Sequence, residues 1–135
     1  MRQIQNKRNF SAKREAIFQE LAATDTHPSA EWVYERLKEK IPGLSLGTVY
    51  RNLSVFKEMG IARSVGIFNG QERFDANVSY HPHFVCKTCF RIIDLPKGFY
   101  PPEKNLYRMI ERDCGVSVDD HAITFYGLCH ECNGI

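Results

Sequence analysis

The chain has 135 residues, of which 43% are hydrophobic and 25% charged, a balance ordinary for a soluble globular protein of one domain or two small ones. No apolar run approaches the roughly 18 residues of a membrane span, and the basic start MRQIQNKRNFSAKRE lacks the apolar core and cleavage site of a secretory signal; a cytoplasmic protein without membrane attachment is expected. The net charge of +2 is too small to identify a nucleic-acid binder, but it is unevenly spread: twelve Lys and Arg face eight acids up to Phe74, so the N-terminal half is basic.

In chain order, Ser11 is placed to cap a helix running to about Leu21, with Ile17, Phe18 and Leu21 on one face. Ser29 is placed to cap a second, in which Val33, Leu37 and Ile41 recur at helical spacing before Pro42-Gly43 stops it. A third helix is predicted between Ser45 and Gly60. Val49, Leu53 and Phe56 form its apolar stripe, and Thr48, Tyr50, Arg51 and Ser54 lie away from that stripe. In residues 62–75, Asn69-Gly70 supplies the two positive-φ residues of a tight hairpin turn between strand-like runs.

Helix, helix, short connection, helix and two-stranded wing is the order of a winged helix-turn-helix, whose third helix enters the major groove of DNA. A small helical domain with an incidental hairpin accounts less well for the short connection and the wing turn occurring together. Ser45, Thr48, Tyr50 and Arg51 are then the DNA-contacting group. Tyr50 suits a base face or thymine methyl, and Arg51 suits guanine or phosphate. The boundaries expected are 1–76 for this domain, 77–80 for a hinge and 81–135 for a second domain of mixed α/β character. There FVC and RIIDL read as strands, Leu106 and Ile110 mark a helix ending near Gly115, and VSVDDHAITFYGLC reads as a long strand.

Cys86-x2-Cys89 and Cys129-x2-Cys132 are two identical knuckles separated by 39 residues. In a reducing compartment such pairs are more often metal ligands than disulfides, and four thiolates at about 2.3 Å favour a tetrahedral, structural zinc with no open position for chemistry. Redox or disulfide pairs and a four-cysteine iron centre for electron transfer are the competing readings. Cys114 stands outside both knuckles and reads as a small buried residue.

His81-Pro82-His83 puts two imidazoles on the same side of an extended segment. Asp75, Asp94 and His27 are the further candidate ligands. A nitrogen and oxygen set without thiolate suits Fe²⁺, Mn²⁺ or Zn²⁺, and two carboxylates tilt it toward Fe²⁺ and Mn²⁺. On spacing alone, chance placement of surface His and Asp near a hinge stands level with the metal reading. His130 reads as an exposed knuckle residue and His121 as a satisfied polar residue.

Taken together, HPSAEWVYERL, GTVYRNLSVFKEMGI, ERFD, HPHFVCKTC and YGLCHEC resemble the ferric uptake regulator family over nearly the whole chain. The resemblance implies an α+β protein: an N-terminal winged helix-turn-helix followed by a small α/β dimerisation domain with a structural zinc. It further implies a homodimer on palindromic double-stranded operator DNA, with repression when a regulatory divalent metal is bound. By motif, Cys86, Cys89, Cys129 and Cys132 become the zinc ligands, and His27, Asp75, His81, His83 and Asp94 the ligands of regulatory Fe²⁺ or Mn²⁺.

The chain is most similar to the family's peroxide-sensing branch. Tyr80 and Pro82 stand where the iron-sensing branch carries two more ligands in a His-His-Asp-His run, and Asp94 replaces a glutamate common in iron sensors. That branch implies oxidation at His27 or His81 as the signal. Phe90 departs from the glycine often found after the first knuckle. An iron- or zinc-uptake regulator is the alternative within the family, and a non-haem iron enzyme the alternative outside it, although no substrate pocket or catalytic base is visible in the sequence.

Overall fold

The computed structural model describes residues 11–79, 81–96 and 105–134, which form parts of two compact units, Met1–Ser79 and Tyr80–Ile135. Arg2, Lys7 and Arg8 of the basic N-terminal stretch and Tyr80 lie outside the described residues. No described helix is long and apolar enough to cross a membrane.

Among the described residues, the first unit contains the helices α1 (Ala12–Ala22), α2 (Ala30–Leu37) and α3 (Leu46–Met59). Each starts at the serine expected: Ser11, Ser29 and Ser45 accept the amide protons of Arg14, Trp32 and Thr48 through their hydroxyls. Such a bond satisfies one of the amides a helix start leaves open, and is worth about 1 kcal/mol. Gly60 closes α3 in the left-handed region at φ 76, where the missing Cβ removes the steric penalty. Helix α2 stops at Leu37 instead of reaching Ile41. The residue before a proline is disfavoured in the helical region, and ahead of Pro42 the chain tightens into a turn in which Lys40 donates to the Leu37 carbonyl at 3.0 Å.

The three helices close on Ile17, Leu21, Val33, Leu37, Val49, Leu53 and Phe56, all buried. Phe18 stands edge-on to Phe56, with ring centroids 5.2 Å apart. Strands β1 (Arg63–Phe68) and β2 (Gln71–Asp75) form the antiparallel wing about a turn in which Asn69 and Gly70 have φ 53 and 77. Phe74 reaches from β2 into the same core, so the wing is anchored at its base.

The second unit contains β3 (His83–Cys86), β4 (Ile92–Asp94), α4 (Asn105–Cys114), β5 (Thr124–Gly127) and the short α5 (His130–Asn133). Its sheet has the order β4-β3-β5, with β4 antiparallel and β5 parallel to the central strand. The predicted long strand over 116–129 shrinks to Thr124–Gly127. β3 is only four residues long and can pair with no more than that. Upstream, amides turn to nearby carboxylates: Val118 donates to Glu111 and His121 to Asp120. Cys114 is exposed rather than buried, because no residue of α4 is buried in the unit.

Candidate metal centres and recognition helix

The sheet topology decides where the cysteines meet. Each knuckle follows a strand, β3 for Cys86 and Cys89, β5 for Cys129 and Cys132, and the two strands run parallel with Cys86 beside Gly127. Both knuckles therefore leave the same end of the sheet, and one bond from the Lys87 amide to the Gly127 carbonyl at 2.7 Å continues the pairing into them. The four Sγ atoms lie within 4.8 Å of one another. Cys89 Sγ and Cys129 Sγ are 3.8 Å apart, and tetrahedral bonds of about 2.3 Å place two sulfurs about 3.8 Å apart.

Electrostatics point the same way. Amide N–H groups of Cys89 and Cys129 aim at Cys86 Sγ at 3.5 and 3.4 Å, and, led by the Cys89 amide, they pull its pKa down to about 6. Cys132 goes the other way, to about 12, chiefly through its contacts with the Cys129 and Cys86 sulfurs. Four sulfurs this close, with amide N–H groups aimed at one of them, form a set that a cation would hold together by taking the thiolate forms. Phe90, in place of glycine, adopts φ 61 to close the first knuckle, and its amide still donates to the Cys86 carbonyl at 3.0 Å. That conformation explains why glycine suits the position.

The opposite end of the same sheet carries a different donor set. His83 opens β3 directly across from Asp94, which closes β4, and His81 precedes His83 by one side-chain repeat. His81 Nε2 and His83 Nε2 stand 3.1 and 3.3 Å from the same Asp94 Oδ1, with the imidazole centroids 4.6 Å apart. Two imidazole nitrogens and a carboxylate oxygen converge.

The first unit holds a smaller group of the same kind. His27, 2% exposed, lies in the loop before α2 with φ 56, a conformation that costs a non-glycine residue about 1–2 kcal/mol. Its Nε2 stands 3.3 Å from Asp75 Oδ2 at the end of β2. Asp75 is itself oriented by the Asn77 amide, 2.9 Å from Oδ1. His121 is in contact with the Tyr107 hydroxyl and ring, and His130 is exposed at the start of α5.

On α3, Tyr50, Arg51 and Ser45 are exposed. Ser45 is engaged in the helix cap, bonded to the Thr48 amide and hydroxyl at 3.1 and 3.0 Å. Arg51 Nη2 donates to Thr48 Oγ1 at 3.1 Å, and the Tyr50 hydroxyl donates to Glu31 at 2.6 Å, a bond that raises its pKa. Sequence reading overlooked Asn52. It is buried on the inner side of α3, donates to the Thr48 carbonyl at 2.8 Å, and accepts from Arg14 of α1 at 2.5 Å, which ties the recognition helix to the first.

A family model for the ferric uptake regulator family matches residues 5–126. The chain belongs to that family. It is 34% identical over 123 residues to the peroxide-responsive repressor PerR of Staphylococcus aureus strain USA300, covering 91% of this chain and 81% of that protein. Among solved structures, it is similar to the Campylobacter jejuni peroxide stress regulator, at TM-score 0.71 and 26% identity over 98% of both chains. It is also similar to the Francisella tularensis ferric uptake regulator solved with iron, at TM-score 0.74 and 26% identity over 91% of this chain and 92% of that one. Membership makes this regulator a metal-dependent transcriptional repressor, as the resemblance implied. Its two kinds of donor set, all sulfur and all nitrogen and oxygen, fit zinc and iron or manganese respectively.

Proposed function

We propose that this chain is a peroxide-sensing repressor in which Cys86, Cys89, Cys129 and Cys132 hold a structural zinc. His27, Asp75, His81, His83 and Asp94 together hold one regulatory Fe²⁺ or Mn²⁺. The observation that carries the second part is the preformed convergence of imidazole nitrogen on carboxylate in each unit: His27 on Asp75 in the first, His81 and His83 on Asp94 in the second. The 34% identity to a peroxide-responsive repressor supports the choice of signal.

Ligands drawn from both units make their relative arrangement dependent on the ion, since binding selects the arrangement that satisfies all five. In a homodimer, the selected arrangement presents two copies of α3 to half-sites of a palindromic operator about 34–36 Å apart. Tyr50, Arg51, Thr48 and Ser45 then face the groove, with Tyr50 released from Glu31. When bound, ferrous iron would relay to the O–O bond of hydrogen peroxide the two electrons that the oxidised imidazole gives up. His27 or His81 accepts one oxygen atom at a ring carbon while the other leaves as water. The altered ring donates poorly, its unit loses hold of the shared site, and the operator is released.

The test is anaerobic binding to operator DNA with Fe²⁺ or Mn²⁺, followed by hydrogen peroxide and mass spectrometry. The expected result is one added oxygen on the His27 or His81 peptide and loss of DNA binding in the iron form, with the manganese form largely retained. Iron-dependent DNA binding that survives peroxide without oxygen addition favours a regulator of iron or zinc uptake, answering to metal supply alone. A set of histidines and a carboxylate also serves non-haem iron enzymes, but the matched relatives are regulators.

A further inference from the structure

Strand β2 bears on the His27 loop through three consecutive residues. Arg73 Nη2 donates to the Thr26 carbonyl at 2.9 Å, and its Nε donates to the carbonyl of His27 itself. The Phe74 amide donates to the Pro28 carbonyl at 2.9 Å. Asp75 meets the His27 imidazole at 3.3 Å. Arg73 and Asp75 are two apart on a strand and so project to one side of it, where one takes the backbone of the histidine and the other its ring.

His27 needs such support. It combines a left-handed backbone at φ 56 with almost complete burial, a conformation that persists only where the surroundings hold it. The planar guanidinium has a fixed fork of donors that can span two successive carbonyls, whereas the ammonium of lysine is a single point charge on a flexible stem. We infer that Arg73 is a positioning residue for His27: it fixes the loop so that the imidazole faces Asp75 before any ion binds, and it joins the wing strand and the metal half-site into one piece. The inference rests on reading His27 and Asp75 as ligands of the regulatory ion. Groups that orient a metal-binding histidine without touching the metal typically change affinity by about 10–100-fold when lost.

The experiment uses the full zinc-loaded chain and Mn²⁺ titrations followed by electron paramagnetic resonance, for wild type, Arg73→Lys, Arg73→Ala and His27→Ala. Both Arg73 variants are expected to bind Mn²⁺ about tenfold more weakly or worse, and His27→Ala to lose most binding. Arg73→Lys should keep its zinc and a Mn²⁺-free melting midpoint close to wild type. A second readout separates positioning from general loosening. With Fe²⁺ and hydrogen peroxide, Arg73→Lys should shift oxygen addition from the His27 peptide toward the His81 peptide instead of lowering both equally. Wild-type Mn²⁺ affinity and an unchanged oxidation ratio in both Arg73 variants, with His27→Ala impaired, overturn the inference and leave the ligand reading standing. Wild-type affinity in His27→Ala removes the ligand reading and the inference with it.

Discussion

The two units solve the same problem by different means. In the first, the described residues build a core from three capped helices and the root of the wing, with eleven hydrophobic residues among them buried together. Among the described residues of the second, few are: Val85 and Ile92 of the sheet, with Pro82, Cys86 and Cys129. Its helix α4 buries nothing, and Met109, Phe125 and Tyr126 are 48%, 51% and 61% exposed. A unit of this size cannot cover enough apolar surface by itself, and two supplements are visible in it. Four cysteines converge where a metal would tie β3 to the segment after β5, and α4 and β5 carry exposed apolar side chains that a second copy could cover. The first unit is held chiefly by its own packing, and on the proposed reading the second would be held chiefly by what it binds.

Removing the metal tests this contrast most severely. Cys129→Ser, or chelation of zinc, should unfold the second unit while the first keeps its own transition. Structural zinc sites contribute on the order of 10–16 kcal/mol in small domains. Hydrogen exchange should show protection lost over 83–94 and 124–133 and retained over 46–59; uniform retention would mean that the sheet does not need the ion. Phe56→Ala is the converse experiment. It opens a cavity in the first core at a cost of about 3–5 kcal/mol, so DNA binding should fall while zinc content stays at wild-type level.

A charge on the open surface comes next in size. Phe125→Lys should yield a zinc-loaded monomer in analytical ultracentrifugation, with operator affinity reduced accordingly; an unchanged dimer would place the interface elsewhere. The smallest effect belongs to the recognition helix cap. Ser45→Ala should lower the stability of the first unit by about 1 kcal/mol in urea unfolding, and leave the melting of the second unit untouched.

Local features were legible in the sequence wherever the chemistry that fixes them is itself local. Ser11, Ser29 and Ser45 cap helices, Gly60 ends one, and Asn69-Gly70 turns the wing, because each acts on residues a few positions away. The cysteine knuckles were equally plain, since two thiols at that spacing can serve one ion. Cys114 and the stretch 116–123 were misread for one shared reason. A small thiol near a helix end announces burial and an apolar run announces a strand, but the described residues of this unit offer neither a core over Cys114 nor a partner strand longer than β3. Arg73 gave no signal in the sequence, for its partners lie 46 and 47 residues away.

From the sequence alone came the winged-helix order, the sulfur site and the ligand types of the second site, all read from short-range spacing or from resemblance. The tertiary structure decided what depends on strand pairing. Parallel β3 and β5 send both knuckles to one end of the sheet, and the antiparallel register of β3 with β4 sets His83 opposite Asp94 at the other. Packing of β2 against the His27 loop brings Asp75 to its imidazole. Register is a property of two strands together and shifts every side chain if it slips by one residue, so no single segment contains it.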